Sequence, residues 1–335
     1  MSRTISRLLA VVLALAAALW IAPGCRTDDA AKDRRFRVGS FNNLTHAQAL
    51  VARVEGRWGP DVEPVTFGAG PAAMEALLSG SVDMAYVGTS PALVGWVRGQ
   101  GELVVLAAAV NGGAGLVTQQ ALKPEQLKGR VLATPQIGNT QDVALRYWLK
   151  TQGLVPGRDL TVVPMANADI LGLFRRGGLE GAWIPEPWAS RLELEGGGTM
   201  LVDEASLWPG GRFHTTLLVS TRRALRTRPA EVARVLRLHV ELTREWEQAP
   251  EAFSHRVGAA FAKLTGQSVN PQVLKRAFHR LSPALEPEAE LLQEVADHAA
   301  ALHYLPEVDV AGIIDRSLLD ETLARPAGGD GGSNH

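Results

Sequence analysis

Cysteine is almost missing: Cys25 is the only one in 335 residues, so no disulfide within the chain can hold the fold. Charge imbalance is missing too. Lys and Arg number 34 against 35 Asp and Glu, a formal net charge of −1, and without a concentrated basic surface a chain has no electrostatic hold on nucleic acid. The apolar run near the N-terminus, Leu8 to Ile21, is 14 residues long, short of the roughly 20 that a membrane-crossing helix needs. Catalytic and cofactor signatures are also lacking. There is no Walker sequence and no dinucleotide fingerprint, and "GTSPA" (88–92) is not the nucleophile elbow G-x-S-x-G. No Cys/His/carboxylate cluster has metal spacing, and His239, His279 and His298 read as surface or interface residues. The expectation is therefore no metal, no cofactor and no catalytic residue. Ser90 with His46 remains as a nucleophile and base with nothing else behind it.

What is present starts with an ordinary globular composition, 46% hydrophobic and 21% charged, in a chain long enough for two domains with full cores. The first 25 residues stand apart. Arg3 and Arg7 precede the apolar run and "APGC" follows it, the layout of a secretory signal. Cys25, preceded by Gly24, resembles a bacterial lipoprotein processing site whose thiol is acylated; ordinary signal cleavage beside an incidental cysteine is the other reading. A lipid on Cys25 would anchor the protein to a membrane while its domains stay soluble. Removing residues 1–24 leaves 32 basic against 35 acidic residues, a net −3. Residues 26–35 then read as a polar tether.

From Phe36 to Val219 short apolar strands alternate with amphipathic helix patterns, which argues for α/β units on largely parallel sheets. Strands are expected in "FRVGSF" (36–41), "VEPVTFGAG" (62–70), "VDMAYVGTS" (82–90), "ELVVLAAAV" (102–110), "QLKGRVLATPQ" (126–136), "DLTVVPM" (159–165), "LEGAWIP" (179–185) and "TTLLVST" (215–221). Beyond Pro229 the chain reads as helical, with Pro229, Pro271 and Pro287 at first-turn positions. The final "PAGGDGGSNH" reads as a disordered tail. The order suggests a discontinuous first domain, 36–117 with 218–322, an inserted second domain, 118–217, and a tail, 323–335. Two crossings of that kind make a hinge, with a cleft for a small ligand between the domains.

Several strand ends break into Gly, Ser, Thr or Asn and then enter a helix: "FNNLTHAQAL", "FGAGPAAMEAL", "VGTSPALVGW", "TPQIGNTQDVAL" and "IPEPWASRL". Gly70-Pro71 and Ser90-Pro91 read as a cap followed by Pro at the first helical position. Helix N-termini at the C-terminal ends of strands attract anions, so these collars should converge on the cleft; helix capping alone is the plain alternative for each. His46, after an expected cap at Thr45, stands where it touches ligand or acts as a base, or is a polar first-turn histidine. Asn139 or Thr140 caps the next helix. Asp142 in that helix's first turn offsets part of its positive end, so an acidic ligand group is expected to rest on Thr89 and Ser90, with Gln136 and Gln141 reading its polar remainder. In "AWIPEPWASRL" (182–192) two Trp and two Pro frame Glu186. They read as flat walls around a carboxylate that meets an amine or hydroxyl, or as core Trp residues with a helix-capping Glu.

"LTHAQALVAR", "FGAGPAAMEALLSGSVDMAYVGTSPAL", "ATPQIGNTQDVALRYWL" and "WIPEPWASRL", in that order, resemble the solute-binding proteins of ABC importers for aliphatic sulfonates, taurine and nitrate. The resemblance covers roughly Phe36 to Trp246. It implies a type II periplasmic-binding-protein fold: two α/β domains, a hinge of two crossings and a central cleft that closes on a small anionic solute. It further implies a monomer outside the cytoplasm, delivering solute to an inner-membrane permease with its ATPase. By matching motif, Asn43, Thr45, His46, Gly70, Thr89 and Ser90 would face the ligand from the first domain. Gln136, Gly138, Asn139, Thr140, Gln141, Asn167, Trp183, Glu186 and Trp188 would face it from the second. The chain has Ser40, Asn42 and Gln48 where the family's first collar often has an aromatic and two prolines. A thiamine-pyrimidine-precursor binder or synthase shares the fold, though that synthase's cysteine-rich signature is absent here; a ligand sensor is the remaining alternative.

Overall fold

The computed structural model describes residues 34–68 and 70–324. The expected signal, Cys25, nearly all of the tether and the 326–335 tail lie outside them. Among the described residues no helix is long and apolar enough to cross a membrane.

Two sheets organise the chain. The first contains β1 (Phe36–Ser40), β2 (Val62–Thr66), β3 (Met84–Val87), β4 (Leu103–Gly112), β10 (His214–Thr221) and β11 (Leu281–Pro283), in the order β11-β4-β10-β3-β1-β2. The second contains β5 (Ala114–Thr118), β6 (Val131–Thr134), β7 (Thr161–Pro164), β8 (Gly181–Pro185) and β9 (Thr199–Asp203), in the order β7-β6-β8-β5-β9. β1 runs parallel to β2 and β3, and β6 parallel to β7 and β8. β10 and β5 pair antiparallel with their neighbours. Every residue of β3, β4, β8 and β10 is buried. The mainly apolar β3, β4 and β8 show the continuous runs that follow from helices covering both sheet faces, while β10, His-Thr-Thr-Leu-Leu-Val-Ser-Thr, is buried with its polar groups. The edge strand β7 is largely exposed or half-buried.

The strand-to-helix joints produce α1 (Ala47–Val54), α2 (Gly70–Ser79), α3 (Thr89–Arg98), α4 (Thr140–Thr151), α5 (Asn167–Arg175) and α6 (Trp188–Leu194). After β10 come α7 (Arg222–Thr227), α8 (Pro229–Gln248), α9 (Pro250–Thr265), α10 (Pro271–Arg280), α11 (Ala289–Ala301) and α12 (Ser317–Ala324). Pro229 and Pro271 open their helices as expected, and Pro250 does so as well. Pro287 does not: Glu288 is the N-cap of α11, so this proline lies outside the helix. Strands β5, β9 and β11 were not anticipated. β5 follows the glycine run "NGGAG", β9 follows "EGGGT" and β11 has three residues, so none carries enough apolar periodicity to stand out.

The chain leaves the first sheet at Gly112 and Gly113, both left-handed with φ of 73° and 74°. A Cβ on Gly112 would sit 2.4 Å from the Arg280 carbonyl oxygen, so only glycine fits this passage. The chain returns through two short 3-10 turns, Glu204–Leu207 and Pro209–Gly211. Positions 117/118 and 217/218, where the sequence suggested the crossings, fall inside β5 and β10.

Candidate functional site

Five helix N-termini meet between the two sheets: α2 at Gly70, α3 behind Gly88, α4 behind Asn139, α5 at Asn167 and α6 at Trp188. They surround a cavity of about 330 Å³. A water molecule occupies about 30 Å³ of liquid, so this space holds an organic molecule and not merely a solvent site.

Asn43, Thr45, His46 and Gly70 line the cavity from the first sheet's side, and Gln136, Asn139, Thr140, Gln141, Asn167 and Trp188 from the other. These are sequence-expected positions brought to one place. Their local roles differ in detail from expectation. Thr45 is no cap: it lies within the 3-10 turn Leu44–His46, whose N-cap is Asn43. Asn139 is the cap of α4, its Oδ1 accepting from the Asp142 N–H at 2.8 Å. Gly88, not Ser90, is the N-cap of α3, which leaves Pro91 in the third helical position, while Pro71 is second in α2. Trp188 Nε1 donates to Asn43 Oδ1 at 3.2 Å, joining the two walls, and the Arg191 guanidinium lies 4.8 Å over the Trp188 ring.

The other expected residues do not line the cavity. The Thr89 hydroxyl donates to the His214 carbonyl. Ser90 is fully buried; its Oγ donates to the Gly138 carbonyl at 3.2 Å and its N–H to Thr140 Oγ1 at 3.4 Å. Gly138, left-handed at φ 74°, donates its N–H to Asp142. Ser90 thus joins α3 to the 135–139 turn and Thr89 joins it to β10, so both hydroxyls are spent within the structure and neither is placed to carry an acidic ligand group. Trp183 is fully buried among Leu116, Trp148 and Leu149, and its Nε1 donates to Glu204 Oε2 at 2.6 Å. Glu186 is likewise fully buried. It accepts from the Ser190 N–H at 3.0 Å, the Ser190 hydroxyl at 2.8 Å and Arg280 at 3.1 Å. Burial raises its carboxyl above the usual range, opposed by Ser190 and Arg280. Of the unusual cluster, only Pro185 and Trp188 reach the cavity. The reading with core Trp residues and a helix-capping Glu therefore holds for Trp183 and Glu186, while Trp188 both packs in the core and presents an edge to the cavity.

Phe41, Asn42, Thr66, Phe67, Gly88, Pro91, Thr215 and Thr216 also line the cavity and were not singled out. Phe41 and Asn42 belong to a collar whose later residues were chosen. Thr215 and Thr216 arrive on β10, an antiparallel strand that carries no collar signal, and only its return between β3 and β4 brings them here.

Among the described residues no Lys, Arg, Asp or Glu lines the cavity. His46, packed 4.7 Å from Phe41, is buried and its imidazole is pushed down to about 3 by that burial. That burial keeps the imidazole neutral at physiological pH. Asp142 keeps its charge out of the cavity, bound to Arg146 and Tyr304. What remains is polar and neutral. Asn42 Oδ1, Gln136 Oε1, Asn167 Oδ1 and Thr216 Oγ1 are buried without a hydrogen-bond partner, which normally costs free energy. Because amide O and N are interchangeable by a flip, the three amides can offer donors or acceptors to a guest. Among the described residues no group of three or more His, Cys, Asp or Glu is placed to hold a metal.

Residues 29–260 match the sequence model of the NMT1-like family. The taurine-binding periplasmic protein of Escherichia coli K12 is 30% identical over 143 residues, which is 41% of this chain and 43% of that protein. The match thus spans less than half the length of that relative. In structure, the chain is similar to the alkanesulfonate-binding protein SsuA of Xanthomonas axonopodis pv. citri bound to MOPS, with TM-score 0.69, 24% identity, and 84% and 98% of the two chains covered. It is also similar to the periplasmic nitrate-binding protein NrtA of Synechocystis PCC 6803, with TM-score 0.74, 17% identity, and 86% and 88% covered. The fold is that of the type II periplasmic binding proteins.

Proposed function

The chain belongs to the NMT1-like family, and on that premise we propose that it is the extracytoplasmic solute-binding component of an ABC importer. It captures a small anion of the aliphatic sulfonate, taurine or nitrate type between its two sheets and passes it to an inner-membrane permease with its ATPase. It acts as a monomer without catalysis, held at the membrane by lipid on Cys25. In this reading the halves built on the two sheets move as two lobes, the left-handed Gly112-Gly113 pair sits at one crossing and the 3-10 turns before β10 at the other, and the residues facing the cavity bind the solute.

The observation that carries the reading is an uncharged, hydrogen-bonding cavity ringed by helix N-termini. Each N-terminus presents about half a positive charge and unpaired N–H groups. An anion held by such dipoles avoids the desolvation cost of burying a matching cation. The nitrate-sized end of the ligand class fills little of the 330 Å³, so the larger sulfonates fit this reading better.

One observation favours a second reading, a neutral thiamine-pyrimidine precursor: three amide side chains with unpartnered oxygens beside Phe41, Phe67 and Trp188 suit a planar ring that both donates and accepts. Calorimetry against taurine, alkanesulfonates including MOPS, nitrate and pyrimidine precursors separates the two. Saturable one-site binding of a sulfonate or nitrate supports the first, binding of the pyrimidine alone supports the second, and no binding to any sinks both.

A further inference from the structure

Asp142 lies in the first turn of α4 but serves no wall of the cavity. Its side chain is fully buried and several donors converge on it. Oδ1 accepts from Thr134 Oγ1 at 2.9 Å, Oδ2 from the Gly138 N–H at 3.0 Å, and Arg146 Nε reaches both oxygens at 3.0 Å. Thr134 and Gly138 bracket Gln136, so this carboxylate fixes the turn that presents Gln136 to the cavity. That turn has little packing of its own, since Ile137 is 54% exposed and Gly138 has no side chain.

A further donor comes from a distant part of the chain. The Tyr304 hydroxyl donates to Asp142 Oδ2 at 2.6 Å. Tyr304 follows α11, whose Leu292, Val295 and Ala299 pack in the core that covers the first sheet, whereas Asp142 follows β6 of the second. The same helix meets α4 twice more, through Tyr147 stacked on His298 at 3.5 Å and through Lys150 Nζ donating to the Ala301 carbonyl at 2.9 Å. Only the Tyr304 bond ends on the residue that shapes the collar. Burial, with the bond to Asp142 adding to it, holds the phenol above its ordinary range, so it remains a donor.

Resting on the reading of this cavity as the solute site, we infer that Asp142 and Tyr304 are positioning residues that couple collar shape to the seating of the two halves. When the halves come together, Tyr304 completes the set of donors on Asp142, and the 135–141 turn takes the shape in which Gln136, Thr140 and Gln141 face the guest. When they part, Asp142 loses that donor and the turn loosens. Affinity is then tuned by two residues that never touch the solute.

The test needs no solute. Hydrogen exchange of the 135–141 segment is measured in the full chain and in Tyr304→Phe, which removes one oxygen. In parallel, the distance between spin labels at Ala72→Cys and Gln152→Cys, both exposed positions, is measured in a Cys25→Ser background. Tyr304→Phe should speed exchange at the Gly138 amide about tenfold, the size expected for losing one hydrogen bond to a charged group, and should add a longer-distance population. Lys150→Met, which cuts a neighbouring contact between the halves without touching Asp142, should leave that exchange rate at the parent value. Unchanged exchange in Tyr304→Phe, or an equal rise in Lys150→Met, overturns the inference. Failure of every solute to bind while this response persists would instead strike the functional reading alone.

Discussion

Two turns of the molecule are written in nearly the same way and used differently. At 87–91 a buried strand ends in Gly-Thr-Ser-Pro and enters α3; at 134–141 another ends in Pro-Gln-Ile-Gly-Asn-Thr-Gln and enters α4. In the first, Thr89 and Ser90 spend their hydroxyls on the His214 and Gly138 carbonyls. In the second, Gln136, Thr140 and Gln141 line the cavity. The difference lies in what stands opposite each side chain: Thr89 and Ser90 face backbone carbonyls that need donors, while Gln136 and Gln141 face the cavity. A collar is thus a place where polar groups gather, and the partner across from it decides whether they brace the structure or meet a guest.

The comparison can be broken most forcefully at Gly88, where the two turns touch. A Cβ there would sit 2.5 Å from Thr140 Oγ1. Gly88→Val should therefore weaken solute binding by about 100-fold, an overpacking cost of up to about 3 kcal/mol expressed at the cavity, read by calorimetry with the best solute of the panel. Unchanged affinity would show that the turns need not approach this closely. Next in size, Thr140→Ala combined with Gln141→Ala should cost about 1–3 kcal/mol of binding with little change in melting temperature. Equal losses in stability and binding would return the second turn to capping alone.

Acid should act on stability before it acts on the cavity. Burial pushes His46 down to about 3 and His214, His239 and His298 down to about 4. The unfolded chain takes up these protons near pH 6.5 while the folded chain does not, so stability should fall as pH is lowered from about 6.5 toward 4. Glu204, raised to about 8 by burial, has the opposite sign between about 4.5 and 8, and Glu186 and Glu294, which burial also raises, act in the same direction, so three carboxyls stand against four histidines. Denaturant titrations across this window check the slope. Affinity should stay flat from pH 6 to 8, because no cavity group titrates there. Smallest, Thr89→Val should lower stability by about 1 kcal/mol and leave affinity within about twofold, whereas a large loss of affinity with intact stability would place Thr89 among the ligand contacts after all.

The elements that read clearly from sequence were those whose residues answer to local rules. β4, at Leu103–Gly112, is a continuous apolar run, and α4 begins behind an Asn that accepts from its own third helical residue. Proline at the first helical position marked α8 and α10. Much of the cavity was visible for the same reason, since a strand end followed by a helix N-terminus puts Asn43 and Gln136 at the carboxyl edge of a sheet whatever else surrounds them, whereas Asn167 came only with the family resemblance. Thr215 and Thr216 gave no such signal, because the cavity reaches them through strand order alone.

Local sequence set the α/β alternation and the collars, both consequences of spacing and capping within a dozen residues. Only the tertiary structure decided how those groups are spent. It turned Glu186 toward Ser190 and Arg280 and away from the cavity, sank Trp183 against Glu204, and gave Asp142 a donor from Tyr304, 162 residues away. A polar side chain settles with the nearest group that can complete its hydrogen bonds, and where chain segments far apart in sequence meet, that group is supplied by the fold.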